Sequence, residues 1–476
     1  MMVIPVMKVP VLVASLLLWP CSCVFAAPPE TRYLPAASHL DRLSKQPAES
    51  HRADTQHITN RDLVARPELA KALLDGAVTQ GRWDVVREIL PVYAATPHPD
   101  GTLVLFAGAG LARSEGHHAL AVARYRAILS EHPELAAVRL ELARTLYENN
   151  QVDIAQYHFR RVLQTSPPDN VQHIIAQYLE RIQRKGTLSG SINLSYLNDS
   201  NVNNASSGDI IRIGNREFIR NKDSFPQRGE GVSFSAALQK DLPLYDQHSL
   251  RFLGTVYGKD YWNNHDYDDI TSRIYAGYLW RNFRQQFAAL PFYEKRWYGT
   301  DAYSSGPGVR LEYSYLISPK WQVSQALEYQ KMGYDNQDYE FLRGYTRYAS
   351  TTLSHALNPR VALSGGVDLL EQQTSTASES NHRAGVRAAV QVDLPWKISF
   401  SALGAFSQRN YEADSDIFAV RRRDNEQFYH LAVWHRDLHF LGLMPKLNFS
   451  EKRVNSNIDF YSYRQHSITL SVDKQF

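Results

Sequence analysis

Residues 382–393 read HRAGVRAAVQVD and residues 396–407 read WKISFSALGAFS. In the first run Ala384, Val386, Ala388, Val390 and Val392 alternate with Arg383, Arg387, Gln391 and Asp393. In the second, Trp396, Ile398, Phe400, Ala402 and Phe406 alternate with Lys397, Ser399, Ser401 and Ser407. Successive side chains of a strand point to opposite faces, so each run is a strand with one apolar and one polar face. Only Leu394 and Pro395 separate them, which makes a hairpin.

The same period extends to the carboxyl terminus and back to residue 187. There Leu188, Ile192, Leu194 and Tyr196 share one face and Ser189, Ser191, Asn193 and Ser195 the other. Fourteen such strands fit between 187 and 476. The links over 198–229, 259–269, 298–308, 333–345, 372–381, 412–424 and 456–463 are long, and those over 242–247, 282–285, 318–320, 357–359, 394–395 and 438–442 are short. A soluble sandwich also alternates apolar and polar residues, but nothing obliges its links to alternate. A transmembrane barrel has long loops at one mouth and tight turns at the other. Residues 186–476 therefore read as a 14-stranded antiparallel outer-membrane barrel. Its even strand number returns both ends to the periplasmic side.

Trp262, Trp280, Trp297, Trp321 and Trp396 fall near strand ends, where an aromatic girdle belongs. The last strand carries Ile468, Leu470, Val472 and the terminal Phe476 on one face, with Lys474 the exception. A terminal aromatic after an alternating strand resembles the signal by which outer-membrane barrels are recognised for insertion. That makes the barrel assembly machinery and outer-membrane lipids expected partners.

Upstream the period changes. Over residues 67–185 Ala121, Tyr125 and Pro133 return 34 residues later as Ala155, Phe159 and Pro167, and Gly116 answers to Asn150. Leu74, Gly81, Val86 and Leu90 form an earlier, looser copy. A small residue lets two antiparallel helices approach, the aromatic fills the groove and the proline stops the second helix, which is the tetratricopeptide pattern. Val171, Ile174, Ile175, Tyr178, Leu179 and Ile182 then keep helical spacing, as a capping helix ended by Gly186. The module reads as a short α-helical solenoid whose concave face holds a peptide or protein. The plainer alternative is that it only braces the barrel.

At the amino terminus, Lys8, the apolar run Val9 to Trp19, and Val24-Phe25-Ala26 read as a secretory signal peptide over 1–26. Val9 to Trp19 is well short of the ~20 residues that span a bilayer. Both cysteines, Cys21 and Cys23, fall inside it, and Pro20 fits a lipidation box poorly. The mature chain is thus expected to have no disulfide. Residues 27–66, rich in Pro, Ser, His and Gln, read as a flexible leader. A formal net charge of +3 over 476 residues gives no basic field, so nucleic acid is not an expected partner.

The chain contains no G-x-S-x-G elbow, no H-E-x-x-H and no phosphate-binding loop. Catalysis, a cofactor and a metal are not expected. His435 and His439 share strand parity but lack a third ligand, and read as lumen-facing polar residues. Gly108 and Gly110 read as close helix packing, and Arg421, Arg422 and Arg423 as an outer loop meeting either lipid headgroups or solvent. The sharpest local string is Asn198, Asp199, Ser200, Asn201, Val202, Asn203, just past the first strand. Its spacing approaches a calcium loop, yet Asn204 stands where Gly is required and Ile210 where the bidentate Glu belongs. On physics alone it is an Asx-rich turn.

A signal peptide, a short tetratricopeptide module, and a fourteen-stranded barrel opened by the D-x-N-V-N string of Asp199, Asn201, Val202 and Asn203 resemble the surface lipoprotein assembly modifier family of Gram-negative bacteria, also described as type XI secretion. The resemblance covers nearly the whole mature chain. It implies an outer-membrane translocon whose periplasmic module meets a client and whose barrel exports it. Clients in the family are mostly surface lipoproteins, including ones that take iron or haem from a host, and some are soluble haem-binding proteins. It also marks the asparagine-rich string as a candidate functional element. The alternatives are a polysaccharide exporter, which also joins helical repeats to a barrel, and, with less support, an outer-membrane lipid-modifying enzyme.

Overall fold

A computed structural model describes residues 60–184, 188–213, 216–221, 224–438 and 443–476. The expected signal peptide, the leader to residue 59, Gly186 and His439 lie outside them. Antiparallel helices come first: α1 (Asn60–Ala65), α2 (Pro67–Thr79), α3 (Trp83–Ala94), α4 (Gly101–Ser114), α5 (His118–Glu131), α6 (Ala136–Glu148), α7 (Val152–Leu163) and α8 (Asp169–Arg184). α1 lies within the stretch read as leader, and its Leu63 is buried against the first repeat. No described helix is long and apolar enough to cross a membrane.

The 34-residue period has a backbone cause. Gly81, Gly116 and Asn150 sit at φ +66, +78 and +64, the left-handed position that ends the first helix of each pair. The next amide in each case reaches back to the helix: Arg82 N to Ala77 O, His117 N to Ala112 O, and Gln151 N to Leu146 O, at 2.7–2.9 Å. Ala121 and Ala155 are fully buried in the second helices, beside Tyr125 and Phe159. Phe159 stacks on Tyr178 of α8 at 4.8 Å, which closes the core under the cap. A Cβ on Gly110 would come within 2.3 Å of Trp83, so the close-packing reading of that glycine stands.

The barrel strands are β1 (Ser189–Asp199), β4 (Gly229–Tyr245), β5 (His248–Tyr261), β6 (Asp269–Arg281), β7 (Gln285–Tyr298), β8 (Asp301–Ser318), β9 (Trp321–Tyr334), β10 (Gly344–Asn358), β11 (Val361–Thr374), β12 (Asn381–Asp393), β13 (Ile398–Asp414), β14 (Arg421–His435), β15 (Met444–Ser456) and β16 (Tyr463–Gln475). Each pairs antiparallel with its sequence neighbour, and β16 returns to β1 to close the barrel. The first long link carries a separate hairpin, β2 (Ile210–Ile213) with β3 (Arg216–Ile219). The apolar faces point outward. Ile274, Leu327, Val386, Leu447, Ile468 and Leu470 are all more than half exposed, whereas their neighbours Arg273, Glu328 and Ser471 are buried. This inside-out burial identifies a lipid-facing wall, and closure leaves no open edge in the membrane.

Five expectations need correction. The link over 298–308 is a two-residue turn, Gly299 and Thr300 at φ +56 and +72, and β8 starts at Asp301. Gly306 and Gly308, inside the stretch read as that link, are strand glycines whose added Cβ would sit 1.9 Å from the Lys331 carbonyl and 2.3 Å from the Phe292 ring. The link after β14 is longer than expected because that strand stops at His435, so link lengths do not alternate strictly. Arg421 to Arg423 belong to β14, with Arg422 buried in the lumen over Tyr461 at 3.7 Å. Lys397 lies in the turn before β13 rather than facing the lumen, and His435 shares the outward parity of Leu431 and Val433.

Candidate functional site at the seam and the joint

Asp199 ends β1 on the lumen side and is almost fully buried. Its carboxylate accepts from the Asn201 amide (3.0 Å), the Gln465 side-chain amide on β16 (2.8 and 2.9 Å) and the Tyr261 hydroxyl on β5 (3.1 Å). Lys259 of β5 adds an ion pair at 3.4 Å. One side chain therefore ties together the first strand, the last strand, β5 and the long first loop.

The asparagines continue the knot by standing in for backbone. Asn201 accepts from Ala205 N (3.0 Å) and donates to Ala205 O (2.9 Å) and, across the seam, to Arg464 O (3.2 Å). Asn203 bonds Phe225 O and Gln227 N at the far end of the loop (2.8 and 3.0 Å). Val202 packs with Leu197 and Tyr261, and Gly229 opposite has no room for a Cβ. Asn198 points outward, with Glu230 at 3.4 Å. Each of the oxygens of Asp199, Asn201 and Asn203 named here receives a donor, so the string is a hydrogen-bonded latch and not a cation loop. The Asx-turn reading is correct locally. Sequence reasoning missed Gln465, Tyr261, Lys259 and Gly229, which lie far away in the chain and carry no motif.

The latch lies on the barrel joint with the fewest paired residues. β1 pairs β16 only over Ser191–Asp199, a smaller total than between any other two barrel strands. Its other end is fastened by Gly190 and Phe476, whose amides and carbonyls exchange hydrogen bonds at 2.8 and 3.0 Å. The Phe476 ring lies across Gly190, where a Cβ would meet it at 2.6 Å. Asp199→Ala should strand the Tyr261, Gln465 and Lys259 donors and cost about 3 kcal/mol. The expected readout is a lower temperature for loss of the compact barrel band on unheated gels, with Phe476→Ala giving a smaller shift.

A second constellation joins the module to the short-turn end of the barrel. The His118 ring stacks on Phe283 of the β6–β7 turn (3.9 Å, 29°), Arg284 donates to the Glu115 carbonyl, and Gln247 of the β4–β5 turn donates to Asn149 O at 2.9 Å. The gripping residues flank the left-handed turns at Gly116 and Asn150. The repeat that builds the solenoid therefore also builds its dock. Behind the stack, Glu148 accepts from Arg113 (2.8 and 2.5 Å) and lies 3.0 Å from His118 Nε2.

Burial alone would raise the Glu148 carboxyl, but Arg113 and His118 outweigh it and hold it down at about 2. A carboxylate depressed on folding contributes stability above its unfolded value and loses it as pH falls towards the folded one. Burial also pushes His158 of α7 down to about 4, with Arg139 and Arg126 adding, so its own contribution is lost at higher pH, between its usual value and about 4, outside α4–α6. Amide exchange on the full chain should therefore show the α4–α6 opening energy falling by about 3 kcal/mol between pH 5 and 2, and Glu148→Gln should remove most of that slope.

The lumen is lined with paired charges. Arg273 meets Glu294 and Glu328, Arg310 meets Glu312 and Glu328, Arg409 and Arg383 meet Glu426, and Arg387 meets Asp368. At the long-loop mouth Tyr303, Tyr334 and Leu342 form one cluster. Arg220 clasps Ser206 (2.7 Å) and Gly208 (3.0 Å) and lies over Phe225 and Phe460, in another. For metal binding, Asp260, His265 and Asp268 bring their ligand atoms within 4.8 Å of one another. Asp268 is already committed to the Tyr261 amide at 2.7 Å and to His265 at 2.9 Å, which reads as loop pinning.

The family model described as surface lipoprotein assembly modifier matches residues 189–476, the whole barrel. This chain belongs to the surface lipoprotein assembly modifier family. A second model, for the N-terminal tetratricopeptide repeats of surface lipoprotein assembly modifiers, matches residues 56–159. Surface lipoprotein assembly modifier 1 of Haemophilus influenzae is 30% identical over 88% of this chain and 87% of its own length. The surface lipoprotein assembly modifier of Pasteurella multocida is 28% identical over 90% and 87%. The hemophilin secretion modulator of Acinetobacter baumannii is 25% identical over 86% of both chains. Among solved structures, a Pseudomonas aeruginosa FadL homologue aligns with 61% of this chain and 89% of its own at 11% identity and a TM-score of 0.37, too slight a likeness to carry an argument.

Proposed function

We propose that this family member sits in the outer membrane with its helical module in the periplasm and exports a surface lipoprotein or a soluble haem-binding protein, without a chemical step. The observation that carries this reading is the dock: a peptide-binding type of solenoid is held by its repeat turns against the short-turn mouth of a closed barrel. The relatives' names, lipoprotein assembly modifier and secretion modulator, supply the client classes.

Fourteen strands enclose less room than the sixteen to eighteen of a water-filled porin. Here the lumen is lined by buried ion pairs as well. Passage therefore uses an unfolded client and opening of the β1–β16 seam, with the Asp199 latch as its closure. The polysaccharide alternative fits less well, because the lumen charges neutralise one another and offer no field of one sign to a polymer.

The experiment is deletion of the gene in its own host, with protease accessibility of the client at the cell surface as readout. Surface client should fall to background and return with the intact gene. Undiminished display, or loss of exopolysaccharide alone, would contradict the proposal.

A further inference from the structure

Next to the seam, the outer wall carries two arginines where a strand pair should avoid them. Arg453 of β15 and Arg464 of β16 are register partners, and both point outward. Like charges directly opposite one another destabilise an antiparallel pair. Here one carboxylate oxygen serves both: Glu451 Oε1 lies 2.5 Å from Arg453 Nε and 2.7 Å from Arg464 Nε. Among the described residues neither guanidinium has a second carboxylate. Both remain open, with side-chain exposures of 43% and 61%, whereas Glu451 is at 11%. The local charge is therefore positive, and the outer forks of both guanidinium groups can take another acceptor.

The position of the pair says what kind of acceptor. One step down the wall, Glu451 faces His466, level with Tyr429 of β14. Below that, Phe449, Ile468 and Leu431 lie side by side, and then Leu447, Leu470 and Val433, all exposed on the outer face. A tyrosine beside polar side chains, directly above an apolar wall, fits the membrane interface. The two arginines thus sit at headgroup height, at the long-loop mouth, over a strip that accepts acyl chains.

We infer that Arg453 and Arg464 form a binding site for the phosphate group of an outer-leaflet lipid, whose acyl chains lie along Phe449, Ile468, Leu447 and Leu470. A guanidinium pair matches phosphate in geometry as well as charge, through forked N–H donors. The bilayer is the source of the ligand, because the apolar strip continues directly below the charges and a free anion would have no use for it. The lipid would lie against β16, so it would steady the last strand beside the latch. This inference rests on the outer-membrane placement proposed above, with the helical module in the periplasm, but not on export.

The test uses the purified full-length protein in phosphatidylcholine nanodiscs, titrated with fluorescent bis-phosphorylated lipid A and, separately, with the dephosphorylated lipid. Wild type should retain the phosphorylated form at least about tenfold more strongly, the scale of two charge-assisted contacts at an exposed site. The R453Q/R464Q variant should lose that preference, while Arg360→Gln at the opposite mouth should keep it. Compact migration on unheated gels checks that each variant is folded, and the wild-type comparison needs no variant at all. Equal retention of the two lipids by wild type, or unchanged preference in a folded R453Q/R464Q barrel, would overturn the inference. Displacement of lipid by an equal concentration of inorganic phosphate would overturn the lipid as its source.

Discussion

With Ser195→Cys and Ser471→Cys introduced together, export should stop when the pair is oxidised and resume when it is reduced. The two serines are register partners on β1 and β16 and both are buried on the lumen side. Directly opposed residues in an antiparallel pair stand about 4.5–5.5 Å apart at Cα, inside the range a disulfide accepts. The only native cysteines are Cys21 and Cys23, in the expected signal peptide. A covalent bond holds this one joint shut without changing the lumen charges, the loops or the dock. If a client leaves through the seam, surface display should drop more than about tenfold in the oxidised state, since opening would then require breaking a bond worth far more than the ladder it replaces. The control is Ser401→Cys with Ala432→Cys, a partner pair on β13 and β14. Locking that joint should leave display unchanged.

The second large effect is expected at the dock. Replacing Phe283 and Arg284 by alanine removes the ring stacked on His118 and the donor to the Glu115 carbonyl. Together these are worth about 3 kcal/mol by the usual scale of an aromatic pair and a charged hydrogen bond. Gln247 alone would then remain to hold Asn149. The barrel should keep its compact migration, protease should cut more readily between the module and β1, and client display should fall about tenfold or more. Phe283→Tyr with Arg284→Lys should restore most of it, because stacking and charge return. Normal export from a folded barrel with a released module would mean that docking of the repeats is not needed for export.

Features set by local chemistry could be read from the chain itself. Ala384 to Val392 against Arg383 to Asp393 specifies a strand and its two faces, because period two admits no other assignment. Ala121 and Ala155, with Gly116 and Asn150, specify the helical repeat because each position has one steric task. Gly306, Pro307 and Gly308 misled, since the same residues serve a loop or a crowded strand. Which applies depends on Phe292 and Lys331, on neighbouring strands. Arg422 misled for a related reason: three consecutive arginines look solvated, yet strand alternation sends the middle one under Tyr461 and beside Asp424 at 2.7 Å.

The candidate site was half legible. Asp199, Asn201 and Asn203 announce a turn, but the use of that turn depends on Gln465, which meets Asp199 only because the barrel closes. Register between the first and last strands is a property of the whole circuit, and no local pattern encodes it. The dock was less legible still. His118, Phe283 and Gln247 are ordinary residues until two modules with different periods bring them together.

The most direct measurement of the central claim is reconstitution: the purified full-length protein alone in sealed liposomes, its helical module facing inward, with an unfolded client lipoprotein enclosed. The account predicts that client becomes accessible to external protease over time, that this depends on the protein, and that oxidising the Ser195→Cys, Ser471→Cys pair blocks it. Client that stays protected while the barrel is folded and the module docked would contradict it.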